Sequence, residues 1–136
     1  QIGKGAYTTP GAGQWPGSAT DWFCVITAEK GALERVSKAW VPKFDGETEL
    51  WFKADDVVNN YIERLESSWD PAKTLRMSII DGRGWNDVQM VIPPGLLNSN
   101  GGAMGIAASC REKLADMPTE VVNYDTWHEN IKGNRE

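Results

Sequence analysis

The sequence has little of the side-chain chemistry that most catalytic and metal centres use. It contains one histidine, His128, and two cysteines, Cys24 and Cys110, which stand far apart. A structural zinc site needs three or four ligands with close pairs among them, and this set cannot supply one. A catalytic triad would need His128 as its base, but the chain has no G-x-S-x-G elbow, and we expect His128 to lie in a solvated tail. We therefore predict no metal, no cofactor and no recognisable catalytic centre.

Three further classes of ligand lack their sequence signals. Neither G-x-x-x-x-G-K-[ST] nor G-x-G-x-x-G occurs, which disfavours nucleotide chemistry. The 14 basic and 19 acidic residues give a net charge of −5, and the basic residues form no stripe that could neutralise phosphates. No apolar run approaches the roughly 18 residues that a membrane helix needs. Binding to nucleic acid and insertion into a membrane are therefore not expected.

Tryptophan, by contrast, is in surplus. A small domain gains much buried apolar area from each large ring, which is the structural explanation. Exposed rings, on the other hand, anchor ligands and protein partners. With seven rings in 136 residues, we expect at least one to be exposed. The seven are Trp15, Trp22, Trp40, Trp51, Trp69, Trp85 and Trp127.

Composition divides the chain into three segments. Residues 1–20 are rich in glycine and proline, which resist helix and central strand, and we interpret them as an irregular arm. Residues 21–125 form the single globular domain expected at this length. Residues 126–136 form a charged tail that we expect to fray. The first residue, Gln1, is compatible with removal of a signal peptide or with a fragment of a longer protein.

Apolar patterning predicts about five strands. Residues 21–27 are apolar on both faces, which is typical of a central strand that is buried on two sides. Residues 28–41 fit either a helix or a strand, and the strand is preferred narrowly. Alternating residues and turn dipeptides predict the remaining strands at residues 49–53, 74–79 and 87–92, the last two joined by a turn at 81–84.

Two helices complete the predicted fold. Asp55 and Asp56 can accept the free N–H groups that open a helix, and apolar residues keep helical spacing from Val58 to Leu65. A second helix is predicted from about residue 103 to residue 115. Together, these elements predict an α+β fold, in which an antiparallel sheet of about five hairpin-connected strands has two helices packed on one side.

Cys24 and Cys110 fall on the inward faces of their predicted elements, so that a strand cysteine would face a helix cysteine. A disulfide between them would close a long loop and contribute about 4–5 kcal/mol in the chain-entropy model. Two buried free thiols would give the same pattern, but we prefer the disulfide. Because disulfides persist in oxidising compartments, this pairing predicts a periplasmic or extracellular location.

The leading functional hypothesis is a non-enzymatic exported binding protein, such as an inhibitor, an immunity protein or an envelope adaptor. Its acidic charge would suit a basic protein partner, with tryptophans as anchors. The loop from Asp81 to Trp85 is the first choice of contact surface, because Arg83 and Trp85 are residue types enriched in binding hot spots. Asp87 and Trp69 are further candidates. The alternative is that Trp85 folds back over the sheet and that the loop glycines only permit the turn.

Two other functions stay open. Glycosidases use two carboxylates across a sugar and often line the cleft with aromatic rings. A small hydrolase of this kind, with a glycan as its ligand, could draw its pair from Asp21, Asp70, Asp87 and Asp125, which lie near tryptophans. The third hypothesis is a structural subunit of a virion or appendage, which would form a stable homo-oligomer. The sequence decides neither the oligomeric state nor the identity of the partner.

Overall fold

The computed structural model of the chain describes residues 1–15, 17–18, 20–97 and 99–136. Within these residues the chain forms a mixed α+β fold with two α-helices and nine short strands. The helices are α1 (Lys30–Arg35) and α2 (Asp55–Leu65), and the strands are β1 (Ala6–Thr8), β2 (Phe23–Thr27), β3 (Lys38–Trp40), β4 (Phe44–Asp45), β5 (Thr48–Glu49), β6 (Leu75–Ile79), β7 (Val88–Ile92), β8 (Ala107–Arg111) and β9 (Ile131–Lys132). Two positions of the predicted arm, Pro16 and Ala19, lie outside the described residues.

Five strands form the central sheet in the order β1-β7-β6-β3-β9. β7 is antiparallel to both β1 and β6, whereas β3 runs parallel to both β6 and β9. The prediction of an α+β fold is confirmed, but the prediction of a purely antiparallel, hairpin-connected sheet is wrong. The connection between β3 and β6 explains the difference, because it contains α2 and is long enough to cross over and return in the same direction.

Several locally encoded elements match their prediction. α2 begins at Asp55 and ends at Leu65, and β6 and β7 form the predicted hairpin. The turn at Gly46 is also confirmed, and its φ of 61° is one that a residue without a Cβ adopts freely. The strand after this turn is shorter than predicted. It pairs only through Thr48 and Glu49, and the chain then turns so that Leu50 is buried in the core.

Residues 28–41 contain both of the structures that their pattern allowed. α1 begins after Glu29, whose carboxylate accepts the backbone N–H groups of Gly31 and Ala32 at 3.0 and 2.6 Å. β3 follows α1 directly and is fully buried in the sheet. The narrow preference for a strand is therefore correct only for the second half of the segment.

The helix predicted over residues 103–115 is wrong. β8 lies there and pairs antiparallel with β2 through five residue pairs, which form a separate two-stranded ribbon. The apolar residues of this segment fit helical spacing, but pairing with a strand some 80 residues earlier overrides that local pattern. β8 is exposed along its whole length, and β2 is half-buried or exposed. The interpretation of β2 as a central strand buried on two faces is therefore also wrong.

Both faces of the central sheet are buried, and each helix packs on a different face. On one face, Ala39 and Val91 form a cluster with Val58 of α2. On the opposite face, Leu75 packs in a cluster that includes Leu33 of α1. The prediction that two helices share one side is wrong, because α1 arises from the ambiguous segment instead of residues 103–115. In the described part of the chain, neither helix is long and apolar enough to cross a membrane.

Both ends of the chain contribute to the sheet and its core. Ile2 is completely buried, and β1 pairs with β7 at one edge of the sheet. β9 pairs with β3 at the other edge, and Arg135 is 9% exposed. Residues 1–20 and 126–136 are the segments predicted as an irregular arm and a charged tail. Each of them supplies one edge strand, of three and two residues, which is too short to show an apolar pattern.

A buried guanidinium joins the sheet to α2. Arg76 of β6 is 1% exposed and donates to Asp55, to Asn59 and to the carbonyl of Pro71. The backbone N–H of Lys4 donates to the same Asp55 oxygen at 3.0 Å, so the N-terminal segment also joins this network. Burial raises the pKa of Asp55, but the Lys4 N–H and the charge of Arg76 outweigh it, and the pKa is lowered overall.

We expect Asp55→Ala to lower the free energy of unfolding by about 3 kcal/mol, because it leaves the buried Arg76 without a carboxylate. Urea denaturation at neutral pH measures this difference. Asp56→Ala, in the same helical turn but exposed, is the control and is expected to cost less than about 1 kcal/mol. Equal losses in the two variants would contradict the assignment.

The ion pair between Asp55 and Arg76 predicts that the free energy of unfolding depends on pH. The pKa of Asp55 in the folded chain lies below its ordinary value of 3.8, so its stabilisation is present above that value. It is lost as the pH falls through the lowered pKa. The difference between the native chain and Asp55→Ala is therefore expected to shrink when denaturation is repeated in acid, and a constant difference would argue against it.

Candidate functional site

A cleft lies beyond the carboxyl ends of the parallel strands. Since β3, β6 and β9 run in one direction, the segments that follow them leave the sheet on the side where the carboxyl ends of these strands lie. Residues 42–44, 79–83 and 135–136 come from these segments and, with Trp51 and Trp85, line a cleft of about 420 Å³, which we call the strand-end cleft. Open sheets with parallel strands bind ligands in the crevice at this position.

The strand-end cleft has an apolar floor and two exposed aromatic walls. Trp51 and Ile79 form part of the floor and are 6% and 7% exposed. The indole N–H of Trp51 donates to the carbonyl of Val41 at 2.9 Å, so its only polar atom is satisfied. Phe44 and Trp85 line the same cleft and are 52% and 53% exposed. The cleft therefore presents two half-exposed rings above a buried apolar surface.

Arg135 holds Trp85 in position from the far end of the chain. Its guanidinium lies 4.4 Å from the ring centroid of Trp40 and 5.2 Å from that of Trp85. It also donates to the backbone carbonyl of Trp85 at 2.9 Å and to the carboxylate of Asp125 at 2.6 Å. Stacking and hydrogen bonding together restrain both the ring and the backbone of Trp85.

Arg83 connects the same loop to the N-terminal segment. Its guanidinium lies 5.8 Å from the ring centroid of Trp15 and donates to the backbone carbonyl of Gln14 at 3.2 Å. Trp15 is itself 57% exposed. The loop from residue 81 to residue 87 is therefore held by contacts from both ends of the chain, which restrain the exposed ring of Trp85.

Two of the four predicted contact residues line the strand-end cleft. Arg83 and Trp85 do so, and Trp85 is more than half exposed although Arg135 covers one side of it. Asp87 belongs to the same loop, where its backbone N–H donates to Gly84 and its carbonyl accepts from Ile80. Their roles in binding stay a prediction.

The remaining predicted contact residue, Trp69, lies elsewhere. It packs, half-buried, against the cluster beneath α2, with the ammonium of Lys132 at 5.8 Å from its ring. Sequence reasoning missed Phe44 and Arg135, which do line the strand-end cleft. A phenylalanine directly before the Asp45-Gly46 turn could have indicated an aromatic contact residue near the surface, but no local pattern marks Arg135.

Three of the four carboxylates considered for glycan hydrolysis have local structural partners. Asp21 accepts hydrogen bonds from the backbone and side chain of Ser18, which lower its pKa. Asp70 accepts from the backbone N–H of Ala72 at the start of a short helical turn, and Asp125 pairs with Arg135. None of the four lines the strand-end cleft.

The predicted disulfide between Cys24 and Cys110 is confirmed, and its surroundings correct the predicted geometry. The two residues lie directly opposite each other on β2 and β8, with their Cα atoms 4.0 Å apart. Both are exposed, so a strand cysteine does not face an inward helix cysteine as predicted. Among the described residues, no group of three or more histidine, cysteine or carboxylate side chains is arranged to hold a metal ion.

Comparison with known proteins identifies a family but no activity. The model of a family described as a family of unknown function (DUF5910) matches residues 1–134. No curated protein and no solved structure matches the chain. The family match spans nearly the whole chain and therefore includes the strand-end cleft.

We expect Arg135→Gln to lower the free energy of unfolding by about 2 kcal/mol and to increase the mobility of residues 83–86, because it removes the cation between two indole rings. Urea denaturation and backbone NMR relaxation measure the two effects. Arg111→Gln is the control, since the hydrogen bonds of that exposed side chain to described residues lie within its own strand. Unchanged relaxation in the loop would contradict the role of Arg135.

Proposed function

The chain belongs to DUF5910, a family of unknown function, and from its strand-end cleft we propose that it is an exported, non-enzymatic protein that binds another protein. One observation supports this above the others. Phe44 and Trp85 stand half exposed on one cleft, over a floor that is already buried and apolar. Aromatic anchors around a pocket that excludes water are typical of interface hot spots.

The dimensions and charges of the cleft suggest how a partner would sit. A volume of about 420 Å³ admits an aromatic or branched aliphatic side chain of the partner. Lys43, Arg83 and Arg135 carry positive charge along the cleft, and Asp81 and Glu136 carry negative charge. Arg135 is already paired with Asp125, so the other four charges are balanced and suit polar contacts of both signs around an apolar anchor.

The overall charge acts at longer range than these contacts. The chain carries a net charge of −5, and most of its acidic residues lie outside the cleft. Such a charge increases the rate at which a basic partner arrives, while the cleft contributes the specific contacts. The partner that fits both features is a basic protein that presents an apolar side chain.

Export rests on the disulfide. Cys24 and Cys110 are the only cysteines of the chain, and both take part in the cross-link. An exposed disulfide persists where the surroundings are oxidising, which supports a periplasmic or extracellular location. An inhibitor, an immunity protein and an envelope adaptor all remain members of this class.

The test compares two tryptophans of similar exposure. Trp85→Ala is expected to weaken binding of a partner from the periplasmic or extracellular fluid of the source organism by at least about 30-fold, as truncation of a hot-spot residue does. Trp22→Ala is the control, because Trp22 is 61% exposed but lies outside the strand-end cleft. Immobilised protein, quantitative mass spectrometry of what it retains, and titration of the purified partner provide the measurement.

Two results would overturn the proposal. One is that the two variants retain the same partner with the same affinity, which would locate binding elsewhere. The other is that the native chain releases reducing ends from polysaccharides, since this would favour the glycan hydrolase. If the partner binds the Trp15→Ala variant with reduced affinity, the contact surface extends to the N-terminal segment. The contact between Arg83 and Trp15 leads us to expect this result.

A further inference from the structure

A second cleft lies at the opposite ends of the same parallel strands. Lys30, Leu33 and Glu34 of α1, which precedes β3, form one wall, and residues 126–129, which precede β9, form the other. Its volume is about 490 Å³. We call it the strand-start cleft. None of its lining residues lines the strand-end cleft, so the two clefts are separate sites.

A buried ammonium joins the two walls. Lys38 is completely buried, and its Nζ donates to the carbonyls of Glu34 and Val36 at 2.9 Å and of Glu129 at 3.0 Å. An ammonium group has three hydrogens, so all of its donors are used on backbone carbonyls. Because one nitrogen binds both carbonyls, the backbones of Glu34 and Glu129 lie close together, one on each wall.

The two glutamate side chains line the cleft without a partner from the described chain. Both residues are exposed, and neither carboxylate forms an ion pair or hydrogen bond with a described residue. Burial lowers the pKa of Lys38, and the charges of Glu129 and Glu34 oppose this change. Lys30 lines the cleft one helical turn before Glu34 but does not come within 4.0 Å of its oxygens.

An aromatic ring completes the cleft. Trp127 is half-buried and stacks on Tyr124 with ring centroids 4.9 Å apart and planes at 12°. Tyr124 is only 4% exposed, so the stack gives Trp127 a rigid support within the core. The cleft therefore combines a supported indole with two carboxylates, and with His128 neutral its ionised side chains carry a net charge of −1.

We propose that the strand-start cleft is a second binding site, which takes the guanidinium group of an arginine side chain from a basic partner. The carboxylates of Glu34 and Glu129 accept the guanidinium N–H groups, and the apolar stem of the arginine packs against the edge of the Trp127 indole, since Tyr124 stacks on that ring and the Lys38 ammonium lies 5.8 Å from its centroid. Lys38 does not compete for the carboxylates, because its hydrogens are already bonded to carbonyls. This site does not depend on the strand-end cleft.

The test uses N-acetyl-arginine methylamide as the probe and its citrulline analogue as the matched neutral control. Both are titrated into ¹⁵N-labelled native chain, with the indole N–H of Trp127 and the amides of Leu33 and Thr126 as NMR reporters. We expect the arginine probe to shift these signals with saturation, and the citrulline analogue to bind at least about tenfold more weakly, since it keeps the shape but loses the charge.

Variants connect the signal to the two glutamates. The double variant Glu34→Gln, Glu129→Gln is expected to weaken binding of the arginine probe at least about tenfold. Glu47→Gln, Glu63→Gln removes two exposed carboxylates outside the cleft and is expected to leave the affinity unchanged, as is Trp22→Ala. Equal binding of arginine and citrulline, shifts confined to other residues, or no saturable shift at the solubility limit of the probe would each overturn the proposal.

Discussion

The buried charge of Arg76 is the constraint on which the rest of the structure depends. A guanidinium in the middle of a sheet must find partners within the fold, since an uncompensated buried charge is very unfavourable. Here the partners are Asp55 in the first turn of α2 and the carbonyl of Pro71 in the segment after α2. The backbone N–H of Lys4 joins them because it donates to the same oxygen of Asp55. Gly3 passes so close that a Cβ there would lie 2.2 Å from the Arg76 side chain. The helix, the sheet and the N-terminal segment are therefore joined at one buried charge.

Two other cations play a comparable role at the ends of the parallel strands. Lys38 joins the walls of the strand-start cleft, and Arg135 joins the loop of the strand-end cleft to the edge of the sheet. Each is nearly or completely buried, and each contacts a tryptophan ring. In this acidic chain, the buried basic residues hold structural elements together, and many carboxylates stay exposed. The lining of each cleft includes basic as well as acidic residues, so both clefts are close to neutral although the chain carries a net charge of −5.

The parts of the fold that could be predicted from sequence are those whose cause is local. Two aspartates followed by helical spacing produce α2, and alternation around a glycine turn produces the β6–β7 hairpin. The pairing of Cys24 with Cys110 could also be predicted from residue type, whereas the sequence left open whether Trp85 is exposed or folds back over the sheet. β3 and β9 could not be found as parallel neighbours, because strands of three and two residues acquire their pairing from partners far along the chain. β8 has the spacing of a helix and becomes a strand only through β2, and Arg135 becomes part of the strand-end cleft only once both ends of the chain have joined the sheet.

The disulfide also determines which parts of the chain stay joined after cleavage. Cys24 and Cys110 are separated by 86 residues, and the loop that they close contains both helices and the three middle strands of the central sheet. The two edge strands, β1 and β9, come from the segments outside that loop. A protease that cuts the exposed loop around Trp85 would therefore leave two fragments that remain covalently linked, with the middle strands of the sheet divided between them. In a fluid that contains proteases, this exposed loop could be nicked without release of either half.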